Sequence, residues 1–169
     1  MTYSLGDESV PGDNGIGMVN ITSKPPVERT ARAVGIIRLK ESTIHAIRSG
    51  STKKGDVLTT ARIAAILAVK DTPRIIPMCH QVTITGVDVS FDLGPETLRA
   101  IVNVVSVGKT GVEMEALIGV SAALLNIWDM IKYLEKDETG NYPSTEIRGI
   151  RVLEKRKGES NEHKQTDMG

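Results

Sequence analysis

The sequence predicts an α+β domain, and three observations support this class. Segments rich in β-branched residues alternate with two strongly apolar segments of helical length, 57–70 and 108–136. The predicted elements follow the order strand, helix, helix, strand, strand, helix, strand. The two central strands are long and are joined by the short turn 94–97. We therefore expect a ferredoxin-like sandwich of the split βαβ kind, with a four-stranded antiparallel sheet and the helices packed on one face.

Size and composition restrict the function. With 169 residues the chain has the length of one domain that buries a core. Lys plus Arg and Asp plus Glu number 21 each, so net charge attracts neither nucleic acid nor a membrane. Aromatic residues make up only 3%, too few to stack single-stranded nucleic acid. We find a single cysteine, no signal peptide and no apolar run of membrane-spanning length, so we expect a cytoplasmic protein.

Composition also divides the chain into three parts. Residues 1–17 are rich in Gly, Ser and Asp and are interpreted as a flexible N-terminal arm. Residues 18–155 form the single domain. The charged residues 156–169 are expected to be a disordered tail.

The first half of the domain contains one strand and two helices. β-branched residues predict a short strand at 34–39. Ser42 and Thr43 are candidates to cap a brief helix that follows. Asp56 is in position to cap the apolar helix 57–70.

A hairpin and a last strand complete the sheet. In the strand 82–93 the apolar alternation shifts by one residue at Gly86, as a β-bulge would cause. The turn 94–97 leads to the partner strand 98–107. The last strand is expected at 147–153.

The segment 108–136 is the most apolar part of the chain. No residue from Ala116 to Trp128 is charged, and such a segment is too short to span a membrane, so we expect a helix buried nearly all round. Charges at its ends are either capping charges or functional groups. Asp129 near the C-terminal end does not suit the helix dipole and needs another explanation. Asp129 and Lys132 are neighbours on one helix face, either an ordinary ion pair or an acid–base pair.

Two familiar site motifs are incomplete. Gly108-Lys109-Thr110 resembles the end of a P-loop, but Asn103 stands where the first glycine is required. This turn is then either a generic anion site or a plain turn. The three histidines have no metal-ligand spacing, so we expect no metal and a catalytic or hydrogen-bonded His80.

Five segments resemble one family. They are Lys-Lys-Gly-Asp-Val at 53–57, Ala-Arg-Ile-Ala at 61–64, Ile-Pro-Met-Cys-His at 76–80, Gly-Lys-Thr-Gly-Val-Glu-Met-Glu-Ala-Leu at 108–117 and Trp-Asp-Met-Ile-Lys at 128–132. In this order and spacing they resemble cyclic pyranopterin monophosphate synthase, the C protein of molybdenum cofactor biosynthesis.

The resemblance implies a lyase that needs no cofactor and has a small-molecule substrate. The family converts (8S)-3′,8-cyclo-7,8-dihydroguanosine 5′-triphosphate into cyclic pyranopterin monophosphate and releases pyrophosphate. The family's acid–base Asp then corresponds to Asp129, its partner Lys to Lys132 and a further essential Lys to Lys54. The alternative is a non-catalytic purine-nucleotide-binding protein on the same scaffold, which would not need these three residues.

The resemblance also implies substrate contacts and an assembly. The implied substrate-binding residues are Met78, Cys79, His80, Glu113, Met114 and Glu115, with Arg32 and Lys70 for the phosphates. Asn20 stands where the family typically has Asp, so a carboxylate role is not expected there. We expect a hexamer, a trimer of dimers with sites at the dimer interface.

The spacing along the last helix raises a geometric question. Glu115 and Asp129 would lie about 21 Å apart in a continuous helix, too far for one nucleotide to touch both. Either the helix begins after Glu115 or a second chain completes the site. We favour the shared site, in which one chain lends Asp129 and Lys132 and its neighbour lends basic residues including Lys54. We expect like charge and desolvation near Lys54 to lower the pKa of Lys132.

Overall fold

The structure, a computed structural model, describes residues 16–159, and these contain four strands and three helices. In chain order the elements are β1 (Val27–Arg38), α1 (Glu41–Arg48), α2 (Val57–Ile75), β2 (Ile84–Leu93), β3 (Thr97–Gly108), α3 (Glu113–Glu135) and β4 (Glu146–Lys157). The strands form one antiparallel sheet in the order β2-β3-β1-β4. The helices pack on one face of it, so the predicted ferredoxin-like α+β fold is confirmed.

Two glycines let α3 approach its neighbours closely. A Cβ on Gly35 of β1 would lie 2.7 Å from side-chain atoms of both Val120 and Leu124. A Cβ on Gly119 would lie 2.8 Å from the side chain of Val69 in α2. Side chains at these positions would push α3 away from the sheet and from α2, because protein interiors have little free volume.

One side of α3 reaches the surface. Val120, Leu124 and Ile127 are fully buried, whereas the side chain of Leu125 is 61% exposed. The expectation of a helix buried nearly all round is therefore wrong for this side. By length and composition alone α3 could cross a membrane, but half of its most apolar segment is buried inside the protein. In this fold α3 is the core helix.

Two strands extend beyond their predicted ends. β1 begins at Val27 instead of residue 34, and β4 continues to Lys157 instead of residue 153. The two extensions pair with each other, and Arg29 lies opposite Lys157. Their side chains are mostly polar, so the apolar alternation that identifies a strand in a sequence is weak there.

The predicted terminal segments lie largely outside the described residues. This applies to residues 1–15 of the N-terminal arm and to residues 160–169 of the tail. Arg156 and Lys157, which the sequence places in the tail, belong to β4. The division into arm, domain and tail otherwise stays a prediction.

The N-terminus of α2 is formed as predicted. The side chain of Asp56 accepts a hydrogen bond from the Thr59 N–H at 2.9 Å and one from the Thr59 hydroxyl at 2.7 Å. The helix continues past its predicted end at residue 70, however, and reaches Ile75 with Pro73 in its last turn. A proline so close to the end breaks few backbone hydrogen bonds, so the helix tolerates it.

The predicted caps of α1 are wrong. Ser42 and Thr43 lie inside the helix, and Lys40 occupies the cap position without a side-chain cap of its own. The Lys40 N–H donates instead to the carboxylate of Glu135, at 3.1 Å to Oε1. Glu135 is fully buried and also accepts from the Thr145 hydroxyl at 2.6 Å. One carboxylate thus joins the start of α1, the end of α3 and the loop before β4.

The central hairpin is formed as predicted. β2 and β3 pair in antiparallel fashion on either side of the turn 94–97. Their register shifts between Ile84 and Gly86, which confirms the bulge predicted at Gly86. The shift was visible in the sequence because a bulge moves the apolar alternation to the other parity.

Candidate active site

Two lysines and one aspartate, predicted as catalytic residues, meet at one point. Lys54 Nζ lies 2.7 Å from Asp129 Oδ2 and 3.1 Å from the Asp129 carbonyl oxygen. Lys132 Nζ lies 2.7 Å from the other carboxylate oxygen, Oδ1. All three side chains are about half exposed, at 46–55%. We call this group the lysine–aspartate trio.

The electrostatics of the trio differ from the expectation. Hydrogen bonds from Lys132 and then Lys54 lower the pKa of Asp129 to about 2. The hydrogen bond and charge of Asp129 in turn raise the pKa of Lys132. The predicted lowering of that pKa is therefore wrong, because a carboxylate stands between the two ammonium groups. Near neutral pH the trio consists of two ammonium groups held by one carboxylate.

A tight turn presents Lys54 to the helix. Gly55 adopts a positive φ of 89°, a conformation that favours glycine. The Thr52 hydroxyl donates to the Gly55 carbonyl oxygen at 2.5 Å and closes the turn. The Asp56 cap then fixes the turn to the start of α2. The sequence Lys-Gly-Asp therefore combines a cation, a left-handed turn residue and a helix cap.

A second group of predicted site residues lines a cavity at the N-terminal end of α3. This cavity, called the His80 cavity, has a volume of about 380 Å³. Its lining residues are Ile76, Met78, Cys79, His80, Thr110, Gly111, Glu113 and Met114. Five of the predicted substrate-binding residues therefore share one cavity.

Cys79 and Glu115 form a buried contact beside this cavity. The Cys79 thiol donates to Glu115 Oε1 at 3.5 Å, and Glu115 is only 1% exposed. Burial raises the pKa of Glu115. Burial, and then the neighbouring Glu115 charge, raise the pKa of Cys79 to about 11. The thiol therefore stays protonated near neutral pH and is a poor nucleophile. The second carboxylate oxygen of Glu115 is buried without a hydrogen-bond partner among residues 16–159.

His80 and Lys109 hold the segment that precedes β1. His80 Nε2 lies 2.8 Å from the Val19 carbonyl oxygen, so this nitrogen carries a proton and donates it. Lys109 Nζ donates to the Thr22 carbonyl oxygen at 2.6 Å and is therefore occupied by main chain. The side chain of Asn20 accepts from the Thr22 N–H at 2.9 Å, a local turn contact that an aspartate would also make.

A basic groove lies on the other side of the Thr110–Gly111 turn. Its volume is about 440 Å³. Its lining residues are Arg29, Thr30, Thr110, Gly111, Glu113, Lys155, Arg156 and Lys157. Burial acts to raise the pKa of Glu113, but the hydrogen bond from Lys155 at 2.8 Å helps to hold it below its ordinary value. The Arg29 Nε is buried and has no hydrogen-bond partner within the described part of the chain.

These basic residues are not predicted as site residues by the sequence. Arg29 lies in the extension of β1, and Lys155 and Lys157 lie in the extension of β4. Both extensions lie outside the strands that the sequence predicts, so nothing in the sequence indicates that they approach each other. Their content of Arg and Lys was the only available signal.

The structure does not bring Arg32 and Lys70 into either cavity. Arg32 lies in a separate depression on the open face of the sheet, with Asp88, Asn103 and Glu154 among its neighbours. Lys70 is exposed on α2. A phosphate-binding role for these two residues stays a prediction.

The trio and the His80 cavity are far apart within one chain. α3 begins at Glu113, so Glu115 and Asp129 lie on one continuous helix about 21 Å apart. The option that the helix begins after Glu115 is therefore wrong. Lys54 and Asp129 contact each other within one chain, so the shared site in the form that takes Lys54 from the neighbour is wrong as well.

No metal-binding cluster is found in residues 16–159. A group of three or more His, Cys, Asp and Glu side chains placed to hold an ion is absent from this range.

Comparisons with known proteins agree on one family. The sequence profile described as the MoaC family matches residues 18–158. A relative from Methanosarcina mazei is 61% identical over 143 residues, which cover 85% of this chain and 91% of the relative. A relative from Methanococcoides burtonii is 61% identical over 138 residues, 82% of this chain and 87% of the relative. A relative from Thermococcus kodakarensis is 55% identical over 147 residues, which cover 87% of this chain and 94% of the relative. All three are named probable cyclic pyranopterin monophosphate synthase.

Proposed function

The chain belongs to the MoaC family, and on this premise we propose that it is a cyclic pyranopterin monophosphate synthase of molybdenum cofactor biosynthesis. Its substrate is (8S)-3′,8-cyclo-7,8-dihydroguanosine 5′-triphosphate, and its products are the cyclic phosphate and pyrophosphate. The observation that carries the proposal is Asp129 held between Lys54 and Lys132, at 2.7 Å from each ammonium group. Mere binding of a purine nucleotide does not require such an arrangement, so the trio favours an enzyme over a binding protein.

The trio supplies positive charge and orientation. Closing the cyclic phosphate joins a hydroxyl oxygen to the α-phosphorus and breaks the bond to pyrophosphate, so negative charge grows on the leaving oxygens. The ammonium groups of Lys54 and Lys132 stabilise such charge. Asp129, with a pKa of about 2, is a weak proton acceptor, and its role is to orient both lysines.

The hydroxyl proton then passes to a base in the other half of the site. Glu115, whose pKa is raised by burial, and His80 are the candidates. With Nε2 donating to the main chain, Nδ1 is the ring nitrogen of His80 that is left to accept a hydrogen bond or proton from substrate.

The basic groove suits the triphosphate. Four cationic residues border it, and they are Arg29, Lys155, Arg156 and Lys157. It shares Thr110, Gly111 and Glu113 with the His80 cavity, so one ligand can extend from one to the other across the start of α3. The N-terminus of that helix adds a favourable field for an anion.

A second chain completes the site. The trio lies about 21 Å from Glu115 within one chain, which exceeds the reach of a nucleotide in direct contact with both. The trio borders an apolar depression formed by Leu125, Trp128 and Ile147, a surface that suits a protein partner. We assign the His80 cavity and basic groove of one chain and the trio of its neighbour to one active site. The assembly is a hexamer, a trimer of dimers with the sites at the dimer interface.

A direct assay tests the proposal. The purified protein is incubated with the cyclised dihydro-GTP, and pyrophosphate release is followed with Asp129→Ala as the control. We expect release by the wild type and at least a roughly hundredfold loss in the variant. Absence of pyrophosphate from the wild type, or an unchanged rate in Asp129→Ala, would contradict the proposal. We expect a cytoplasmic location, which suits a biosynthetic enzyme whose one cysteine is a free thiol.

A further inference from the structure

Tyr133 lies directly beside the trio but outside the predicted site. It follows Lys132 in α3, and its hydroxyl oxygen accepts a hydrogen bond from the Lys53 N–H at 2.8 Å. The Lys53 ammonium lies over the Tyr133 ring, 5.2 Å from its centroid. Tyr133 therefore contacts Lys53, the residue immediately before Lys54, through both its hydroxyl and its ring.

Few hydrogen bonds join the loop 51–56 to α3. Within residues 16–159, the hydrogen bonds between them are those of Lys54 to Asp129 and that of Lys53 to Tyr133. The other hydrogen bonds of the loop are internal, such as that of the Thr52–Gly55 turn, or go to Ala46 of α1, to Ser49 and to α2. They shape the loop, but they do not fix its distance from α3.

We propose that Tyr133 is a positioning residue that holds the loop 51–56 against α3 and so keeps Lys54 within reach of Asp129 and substrate. When Lys54 turns from the carboxylate to a phosphate oxygen, its own tie to α3 is lost. The hydrogen bond from the Lys53 N–H to the Tyr133 hydroxyl does not involve the Lys54 side chain, so it persists and keeps the loop in place. Preorganisation of this kind avoids a loss of orientation when substrate binds. The inference rests on the proposed catalytic use of Lys54.

The test variant is Tyr133→Phe, which removes the acceptor oxygen and keeps the ring under Lys53. Tyr142→Phe is the matched control, because it makes the same chemical change at a ring that packs on Trp128 instead of the loop. Three quantities are measured for each: kcat/KM for pyrophosphate release, the melting temperature, and the pKa of the Asp129 carboxyl by carbon NMR. The Asp137 carboxyl, which accepts a hydrogen bond from the Thr139 hydroxyl, is the internal reference for the titration.

We expect Tyr133→Phe to lower kcat/KM about fivefold, the factor for one neutral hydrogen bond of about 1 kcal/mol. The pKa of Asp129 should rise part of the way to its value in Lys54→Ala, because Lys54 is then less often in contact with the carboxylate. The pKa of Asp137 in Tyr133→Phe should stay as in the wild type. So should kcat/KM and the pKa of Asp129 in Tyr142→Phe.

Two results would overturn the inference. One is an unchanged Asp129 pKa and an unchanged kcat/KM in a folded Tyr133→Phe protein. The other is a lower melting temperature with an unchanged Asp129 pKa, since Tyr133 would then only stabilise the fold. If the wild type itself releases no pyrophosphate, the proposed function fails, and the Asp129 titration still decides whether Tyr133 positions Lys54.

Discussion

If the trio of one chain and the His80 cavity of its neighbour form one active site, two inactive variants should restore activity when their subunits are mixed. Recovery requires that one substitution lies in the trio and the other in the His80 cavity. His80→Ala removes a residue of the His80 cavity, and Asp129→Ala removes the centre of the trio. In the proposed dimer each site takes one half from each chain. A mixed dimer therefore contains one intact site and one site with both substitutions.

The expected magnitude follows from counting sites. With equal amounts and random exchange, about half of the dimers are mixed, and about a quarter of all sites are intact. Pyrophosphate release should therefore recover to about one quarter of the wild-type rate. The assay compares the mixture before and after subunit exchange, which native mass spectrometry verifies independently.

A second pair is the control. Asp129→Ala mixed with Lys54→Ala should not recover, because the two residues contact each other at 2.7 Å within one chain. Every trio in that mixture carries a substitution whatever its partner. Recovery of this second pair, or no recovery of the first pair despite complete exchange, would refute the reasoning.

Three further predictions concern the pKa of Asp129 and the stability of the fold. Lys132→Ala should raise the pKa of Asp129 from about 2 towards its ordinary value, measured by carbon NMR. In the wild type, the stabilising contacts of the Asp129 carboxylate are complete above its pKa in the unfolded chain. They are lost as the pH falls towards about 2. Glu135→Ala should lower the free energy of unfolding by about 3 kcal/mol in urea titrations, because the half-buried Lys40 N–H and the buried Thr145 hydroxyl lose their acceptor; a loss below about 0.5 kcal/mol would contradict this role. Gly119→Val should cost about 1–3 kcal/mol by the same measurement, because even its Cβ would lie 2.8 Å from Val69; unchanged stability would show that α2 and α3 separate freely.

Features that depend only on residues close together in the sequence were predicted correctly. The Asp56 cap, the hairpin turn 94–97 and the bulge at Gly86 are each decided within a few residues, so the sequence contained the whole cause. The same holds for the helical segment of α3, whose apolar composition leaves few alternatives. The order of these elements then restricted the fold to one class.

Element ends depended on partners that are distant in sequence. β1 starts at Val27 because its first residues pair with the ends of β3 and β4, and Val27 itself lies opposite Gly108. The α1 cap comes from Glu135, 95 residues away from Lys40. Helix and strand propensities and the periodicity of apolar residues do not reveal such long-range partners, since they depend only on neighbours along the chain.

The sequence by itself determined the fold class and, through its motifs, predicted Lys54, Asp129 and Lys132 as catalytic residues. Only the tertiary structure decided that Lys54 reaches Asp129 across 75 residues within one chain. It also decided the direction of the Lys132 pKa shift and the separation of the trio from the His80 cavity. The physical reason is that charges act through space, and which charge stands beside which is fixed only when the loop 51–56 packs against α3.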